Sequence, residues 1–252
     1  MKDILIKTER LSKSFSDGGA IRHVLKNIDL ELYRGDFTVI MGASGAGKST
    51  LLYALSGMDT PTLGRISFGE TAISDLTADG LALFRKEHCG FVFQQIYLID
   101  SMSVLDNALA AGLLTTKDKK ALTARAKELF AAVGLSDETI LKFPARISGG
   151  EAQRAGIVRA LINSPEILFA DEPTGALNSK AGLDVLDTLT AFNERGQSVV
   201  MVTHDMRSAR RGNRILYLKD GVITGECDLG RYTPSDEERH KKLSDFLAKM
   251  GW

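Results

Sequence analysis

Residues 28–32, IDLEL, alternate apolar and polar side chains, as a strand does when only one of its faces is buried. Three other stretches behave differently. FTVIM, EILFAD and SVVMVTH are nearly unbroken apolar runs, the pattern of parallel strands covered on both faces. Helical periodicity follows these runs over 48–58, 180–195 and 206–211, so strands and helices alternate and predict a doubly wound α/β core. From 94 to 148 the pattern turns mostly helical. SVLDNALAAGLL and ALTARAKELFAAVGL carry apolar residues at i, i+3 and i+4, which predicts a helical insertion in the core. Near the C-terminus Leu243, Phe246, Leu247 and Met250 recur at the same spacing. They predict an amphipathic helix packed on the chain's own core or on a second copy; acids and bases mixed along its polar face argue against a membrane-surface role.

No internal repeat or low-complexity linker divides the chain, and proline is rare, at 5. It reads as one unit: a core from 1–94 and 148–226, a helical insertion from 95–147 and a helical tail from 227–252. At 252 residues and 44% hydrophobic, the chain is long enough to fill a large core. Lys+Arg and Asp+Glu are both 32, so net charge is zero and the overall basic field that gathers nucleic acid is missing. Cys89 and Cys227 have neither metal-ligand spacing nor the number for a disulfide framework, and read as reduced packing residues. The start, MKDILIKTERLSKSF, has no apolar signal region, and ALAAGLL is far shorter than a membrane span. Any membrane contact of this cytosolic chain is expected to go through a partner.

The run FTVIM ends on GASGAGKS, which fits GxxxxGK[ST] from Gly42 to Ser49, and a helical stretch follows. Gly42, Ala43, Ser44, Gly45, Ala46 and Gly47 form a loop whose N–H groups turn into one concavity. The helix entered through Lys48, Ser49 and Thr50 adds its positive end. This is a phosphate cradle, with Lys48 reaching the β- and γ-phosphates and the Ser49 hydroxyl on magnesium. A second run, EILFADEP, ends in Asp171 and Glu172, at the strand end where open α/β sheets bind ligands. A phosphate loop needs a metal-holding acid, so Asp171 is assigned to magnesium and Glu172, facing an attacking water, to the general base. In ISGGEAQ, Ser148 and Glu151 form a capping box, which helix initiation alone explains. Gly149 and Gly150 are left over; they open the helix start to a second anion contact.

These motifs together resemble the ATP-binding subunits of ABC transporters, over about residues 2 to 226. GASGAGKST is similar to that family's Walker A loop, ILFADEP to its Walker B strand and ISGGEAQ to its signature, with Ile147 and Glu151 where Leu and Gln are commoner. The resemblance implies a P-loop NTPase fold: α/β, with a mostly parallel central sheet, an antiparallel β subdomain and an inserted helical subdomain. It also implies ATP and Mg2+ as ligands. Gln94 in FVFQQ matches the glutamine that touches metal and water and senses the membrane partner. His204 in VTHD matches the histidine at the γ-phosphate, and Phe15 in LSKSF the aromatic that stacks on adenine, with Tyr33 as its rival. Two copies are implied to sandwich each ATP between the phosphate loop of one and Ser148, Gly149, Gly150 and Glu151 of the other. Asn178 stands where the family carries Asp, which removes a charge from the loop after Walker B.

Within the family, GMDTPTLGRISFG and LALFRKEHCGFVFQQIYLIDSMSVLDNA resemble the branch of lipoprotein-releasing, macrolide-efflux and bacitracin-type antimicrobial peptide transporters, and the tail resembles those of peptide-resistance transporters in Gram-positive bacteria. That branch implies an integral membrane permease as partner, with the ATPase peripheral on the cytoplasmic side. Control of cell-wall hydrolysis through a membrane partner is the alternative within the resemblance. A soluble ATPase clamped on nucleic acid is the alternative of another class. The chain lacks the coiled-coil insertion, the second ATPase module and the basic stripe expected of the latter.

Overall fold

The computed structural model describes residues 3–252. Its strands are β1 (Ile4–Asp17), β2 (Ala20–Tyr33), β3 (Phe37–Met41), β4 (Leu63–Phe68), β5 (Thr71–Ala72), β6 (Cys89–Phe93), β7 (Ile167–Asp171), β8 (Ser198–Val202), β9 (Arg214–Lys219) and β10 (Val222–Asp228). Its helices are α1 (Lys48–Leu55), α2 (Ala78–His88), α3 (Val104–Gly112), α4 (Lys119–Ala132), α5 (Asp137–Ile140), α6 (Gly149–Leu161), α7 (Ser179–Glu194), α8 (Met206–Ala209) and α9 (Glu237–Met250).

Two sheets form. The larger has the order β10-β9-β3-β8-β7-β6, parallel except for the β10 edge. The smaller, β2-β1-β4-β5, is antiparallel throughout. The two apolar patterns account for this division. β3 and β8 are buried at every residue and stand inside the larger sheet, whereas β2 alternates and keeps one face in solvent. Alternate side chains of β3 serve opposite cores: Ile40 packs toward the smaller sheet with Leu51 and Phe169, while Phe37, Val39 and Met41 face Ile157, Val185 and Leu189 of α6 and α7.

The 94–148 stretch contributes a third cluster, in which Val104, Ala108, Leu122 and Phe130 close on Ala155, Val158 and Ile162. Helix α6 therefore gives one stripe to the sheet and another to the helical insertion. The predicted C-terminal helix is present and packs on its own chain. Leu243 and Leu247 are 0% and 1% exposed, with Phe246 and Met250 beside them against the second core. Arg239, 3% exposed, fastens it by donating to the carbonyls of Arg210, Gly212, Leu229, Gly230 and Arg231.

Two predicted helices are shorter than their patterns. α1 ends at Leu55, not Met58, because Ser56 caps it and Gly57 turns left-handed at φ 68°. α8 ends at Ala209, not Arg211.

Sheet register decides what meets at the site. Asp171 pairs with Phe93 of β6 and Val202 of β8, so Gln94, Glu172 and Thr203 leave their strands from one row, with His204 next. The loop that follows β3 opens on the same carboxyl edge, because Ile40 pairs with Val202.

Candidate active site

The loop after β3 is shaped by what a side chain would hit. A Cβ at Gly42 would lie 2.2 Å from the carbonyl oxygen of Leu218, and Gly47, at φ 101°, has the Val24 carbonyl 3.1 Å from its Cβ position. Only glycine fits either position. Gly47 caps α1 without a side-chain bond, and the first turn holds no acid. The amides of that turn therefore stay open to an anion. Lys48 is 7% exposed and bonds back to the carbonyls of Gly42 and Ala43, at 2.9 and 3.0 Å. Burial pushes its pKa down, opposed by the charges of Glu172 and Asp171.

Phe15, Ser44, Gly45, Gly47, Lys48, Ser49, Thr50 and Glu172 line one pocket of about 520 Å3. Phe15 is 46% exposed, with the Lys13 ammonium 5.0 Å from its ring centroid. Tyr33, the rival aromatic, lines a different surface recess with Arg214 and Glu226. Arg22 and Val24 also border the phosphate pocket, and sequence patterning had not marked them. Arg22 pairs with Phe15 across β1 and β2, a neighbour relation that exists only once the hairpin register is known.

At the end of β7, Ser49 Oγ donates to Asp171 Oδ1 at 3.0 Å and Tyr53 Oη to Oδ2 at 2.7 Å. Burial, then the bond to Asp171, pushes the Tyr53 phenol up to about 12. Tyr53 is four residues past Ser49, so helical spacing puts the two hydroxyls on one face of α1, but nothing in the sequence pointed either of them to Asp171. Glu172 adopts φ 45°, a left-handed conformation that costs a non-glycine residue about 1–3 kcal/mol and is concentrated at functional sites. Its Oε1 lies 2.9 Å from His204 Nδ1. Gln94 packs on Gly175, whose Cβ position is 2.8 Å from Gln94 Nε2, and it shares a groove with Asp171.

Ser148, Gly149, Gly150 and Glu151 stand apart from this pocket, at the start of α6 beside α7. The capping box is complete: Glu151 Oε2 accepts from Ser148 N at 2.8 Å and from Ser148 Oγ at 2.7 Å, and Ser148 Oγ accepts from Glu151 N. Gly150 has a packing reason too, since its Cβ position is 2.8 Å from the Ala181 Cβ. Asn178 caps α7 by accepting from Ala181 N at 3.0 Å, a duty that Asp performs equally.

The donor set suits magnesium. Among the described residues no three His, Cys, Asp or Glu side chains converge. Beside the phosphate loop the Ser49 hydroxyl and the Asp171 carboxylate stand 3.0 Å apart. That is the sparse oxygen set of an ion that completes its shell with water and substrate phosphates.

A family model described as ABC transporter matches residues 25–175. The bacitracin export ATP-binding protein BceA of Halalkalibacterium halodurans is 38% identical, over 98% of this chain and 96% of its own. The macrolide export ATP-binding/permease protein MacB 1 of Aeromonas hydrophila is 42% identical over 90% of this chain, which spans only 35% of that protein. A dimeric, post-hydrolysis structure of the ATP-binding cassette MJ0796 with ADP and Pi superimposes with a TM-score of 0.83. It is 38% identical and covers 90% of this chain and 100% of that one.

Proposed function

The chain belongs to the ABC transporter family and is an ATPase that uses ATP and Mg2+, and we propose that it powers a membrane permease of the antimicrobial peptide, macrolide or lipoprotein export type. One observation carries the catalytic reading: Glu172, held against His204, shares a pocket with the phosphate loop and Phe15. The loop amides and Lys48 bind the β- and γ-phosphates, and Phe15 stacks on the adenine. Magnesium held by Ser49, Asp171 and Gln94 would neutralise charge on the phosphate oxygens. Glu172 takes the proton of the attacking water, and His204 orients that carboxylate and contacts the γ-phosphate.

The separation of the Ser148–Glu151 helix start from the pocket supports a paired arrangement. In it, the γ-phosphate held by one copy receives Ser148, Gly149 and Gly150 from the second. Closure on ATP and opening after hydrolysis then become the power stroke. The MJ0796 cassette with ADP and Pi is itself a dimer, in agreement with this pairing.

Two features support a permease partner on the cytoplasmic face. Among the described residues no helix is long and apolar enough to cross a membrane. The relatives BceA and MacB 1 carry export in their names, and MacB 1 joins ATP-binding and permease parts in one chain. The groove shared by Gln94 and Asp171, about 1080 Å3 and bordered by Met58, Tyr97 and Leu114, is the surface we assign to that permease.

Glu172→Gln tests the core of the reading. Turnover is expected to fall by about 10²–10⁴-fold, the worth of a general base, while ATP with Mg2+ drives the variant into a stable dimer by light scattering. Turnover near wild type removes Glu172 as the base.

A further inference from the structure

We propose that Tyr53 is a positioning residue for the magnesium carboxylate, holding Asp171 in the orientation that presents Oδ1 to Ser49. This rests on the reading of Asp171 as the metal-holding acid. Ser49 and Tyr53 are one turn apart on α1 and project to the same side, toward the end of β7. Their two hydroxyls take one carboxylate oxygen each, at 3.0 and 2.7 Å. The terminal torsion of an aspartate is broad and close to two-fold. A carboxylate gripped at one oxygen can still turn about that contact, whereas one gripped at both has its plane defined.

Tyr53 reaches Asp171 from the wall of a groove distinct from the phosphate pocket. Tyr53 and Asp171 both border the groove with Met58, Phe93 and Tyr97, while Ser49 lines the phosphate pocket. Without the phenol hydroxyl, Oδ2 loses the one donor it has among the described residues, in a groove that Gln94 also borders. The carboxylate is then free to turn about its contact with Ser49. Groups that orient a metal ligand from behind in this way change metal affinity by about 10–100-fold when removed. Because the Tyr53 ring is part of the groove wall, a permease segment seated there touches the side chain that sets Asp171.

The test is Mn2+ binding to the full chain in the presence of the non-hydrolysable analogue AMP-PNP, followed through the EPR signal of free Mn2+. Tyr53→Phe keeps the ring and removes the hydroxyl. Its Kd for Mn2+ is expected to rise about tenfold, with the affinity for AMP-PNP in EDTA and the melting temperature unchanged. Asp171→Asn serves as reference and is expected to lose more. Adding Tyr53→Phe to Asp171→Asn is expected to lose nothing further, since Tyr53 acts through that carboxylate. Wild-type Mn2+ affinity in Tyr53→Phe alongside a loss in Asp171→Asn overturns the Tyr53 inference alone. Wild-type affinity in Asp171→Asn overturns the metal reading of Asp171 and this inference with it. An equal loss of AMP-PNP affinity in EDTA makes Tyr53 a scaffold residue and also overturns the inference.

Discussion

Helices α1 and α6 each start beside glycine in a motif associated with phosphate, yet they begin in opposite electrostatic states. α1 starts at Gly47 with no side-chain cap and no acid in its first turn. α6 starts at Ser148 with a complete capping box, and the bonds from Ser148, its backbone first, hold the Glu151 carboxyl below the ordinary range. The first start is therefore unfinished within its own chain and awaits an anion. The second is already satisfied, and a phosphate brought to it meets Ser148 and the glycine amides with Glu151 already in place. Glycine works differently in the two as well. Gly47 supplies a left-handed turn, while Gly150 lets α6 and α7 touch.

Replacing Lys48 with Met should separate the two starts most strongly. Two charge-assisted bonds to phosphate at about 1.5 kcal/mol each correspond to a loss of about 100-fold in ATP affinity. The unliganded melting temperature should move little, since Met removes the desolvation cost of a buried ammonium together with its bonds to the Gly42 and Ala43 carbonyls and its attraction to Glu172 and Asp171. Titration of a fluorescent ATP analogue and calorimetry would check both; retained ATP affinity would mean that α1 is not the phosphate end.

Gly150→Ala comes next and should act without nucleotide. Forcing a Cβ to 2.8 Å from Ala181 is expected to cost about 1–3 kcal/mol, or about 2–4 °C of melting temperature per kcal/mol. Gly149→Ala should spare the unliganded protein, because its nearest neighbour is the far end of the Leu177 side chain, Cδ2 at 3.3 Å. Equal melting temperatures for the two variants would remove the packing reason for Gly150.

Glu151→Gln has the smallest expected effect, and its size depends on pH. Because the folded carboxyl titrates below its ordinary 4.5, its stabilising contribution is fully present above that value and disappears as pH falls through the lowered one. The melting difference between wild type and Glu151→Gln should be flat from neutral pH to about 5 and shrink in more acid solution. A difference that grows with acid would reverse the sign and break the contrast between the two starts.

Much of this site was legible in sequence because it is local. Eight contiguous residues define the loop from Gly42 to Ser49, and Ser148 with Glu151 three positions on marks the α6 cap. Helix lengths were less legible, as at Ser56 and Gly57, where a turn stops a pattern that apolar residues would continue. Tyr53 lies in plain sight on α1 but has no motif. Its role appears only when β7 brings Asp171 within 2.7 Å.

The chain's sequence by itself determined the alternation of strand and helix, the phosphate loop and the chemical kinds available at each strand end. Those properties depend on neighbours a few residues away, through backbone sterics, periodic burial and local caps. Tertiary structure decided that Gln94, Glu172 and His204 gather beside one row, that Phe15 and not Tyr33 borders the nucleotide pocket, and that α9 lies on its own core. Each of these follows from strand register and packing between segments distant in the chain, where a shift of one residue exchanges the faces of a strand and which side chains meet.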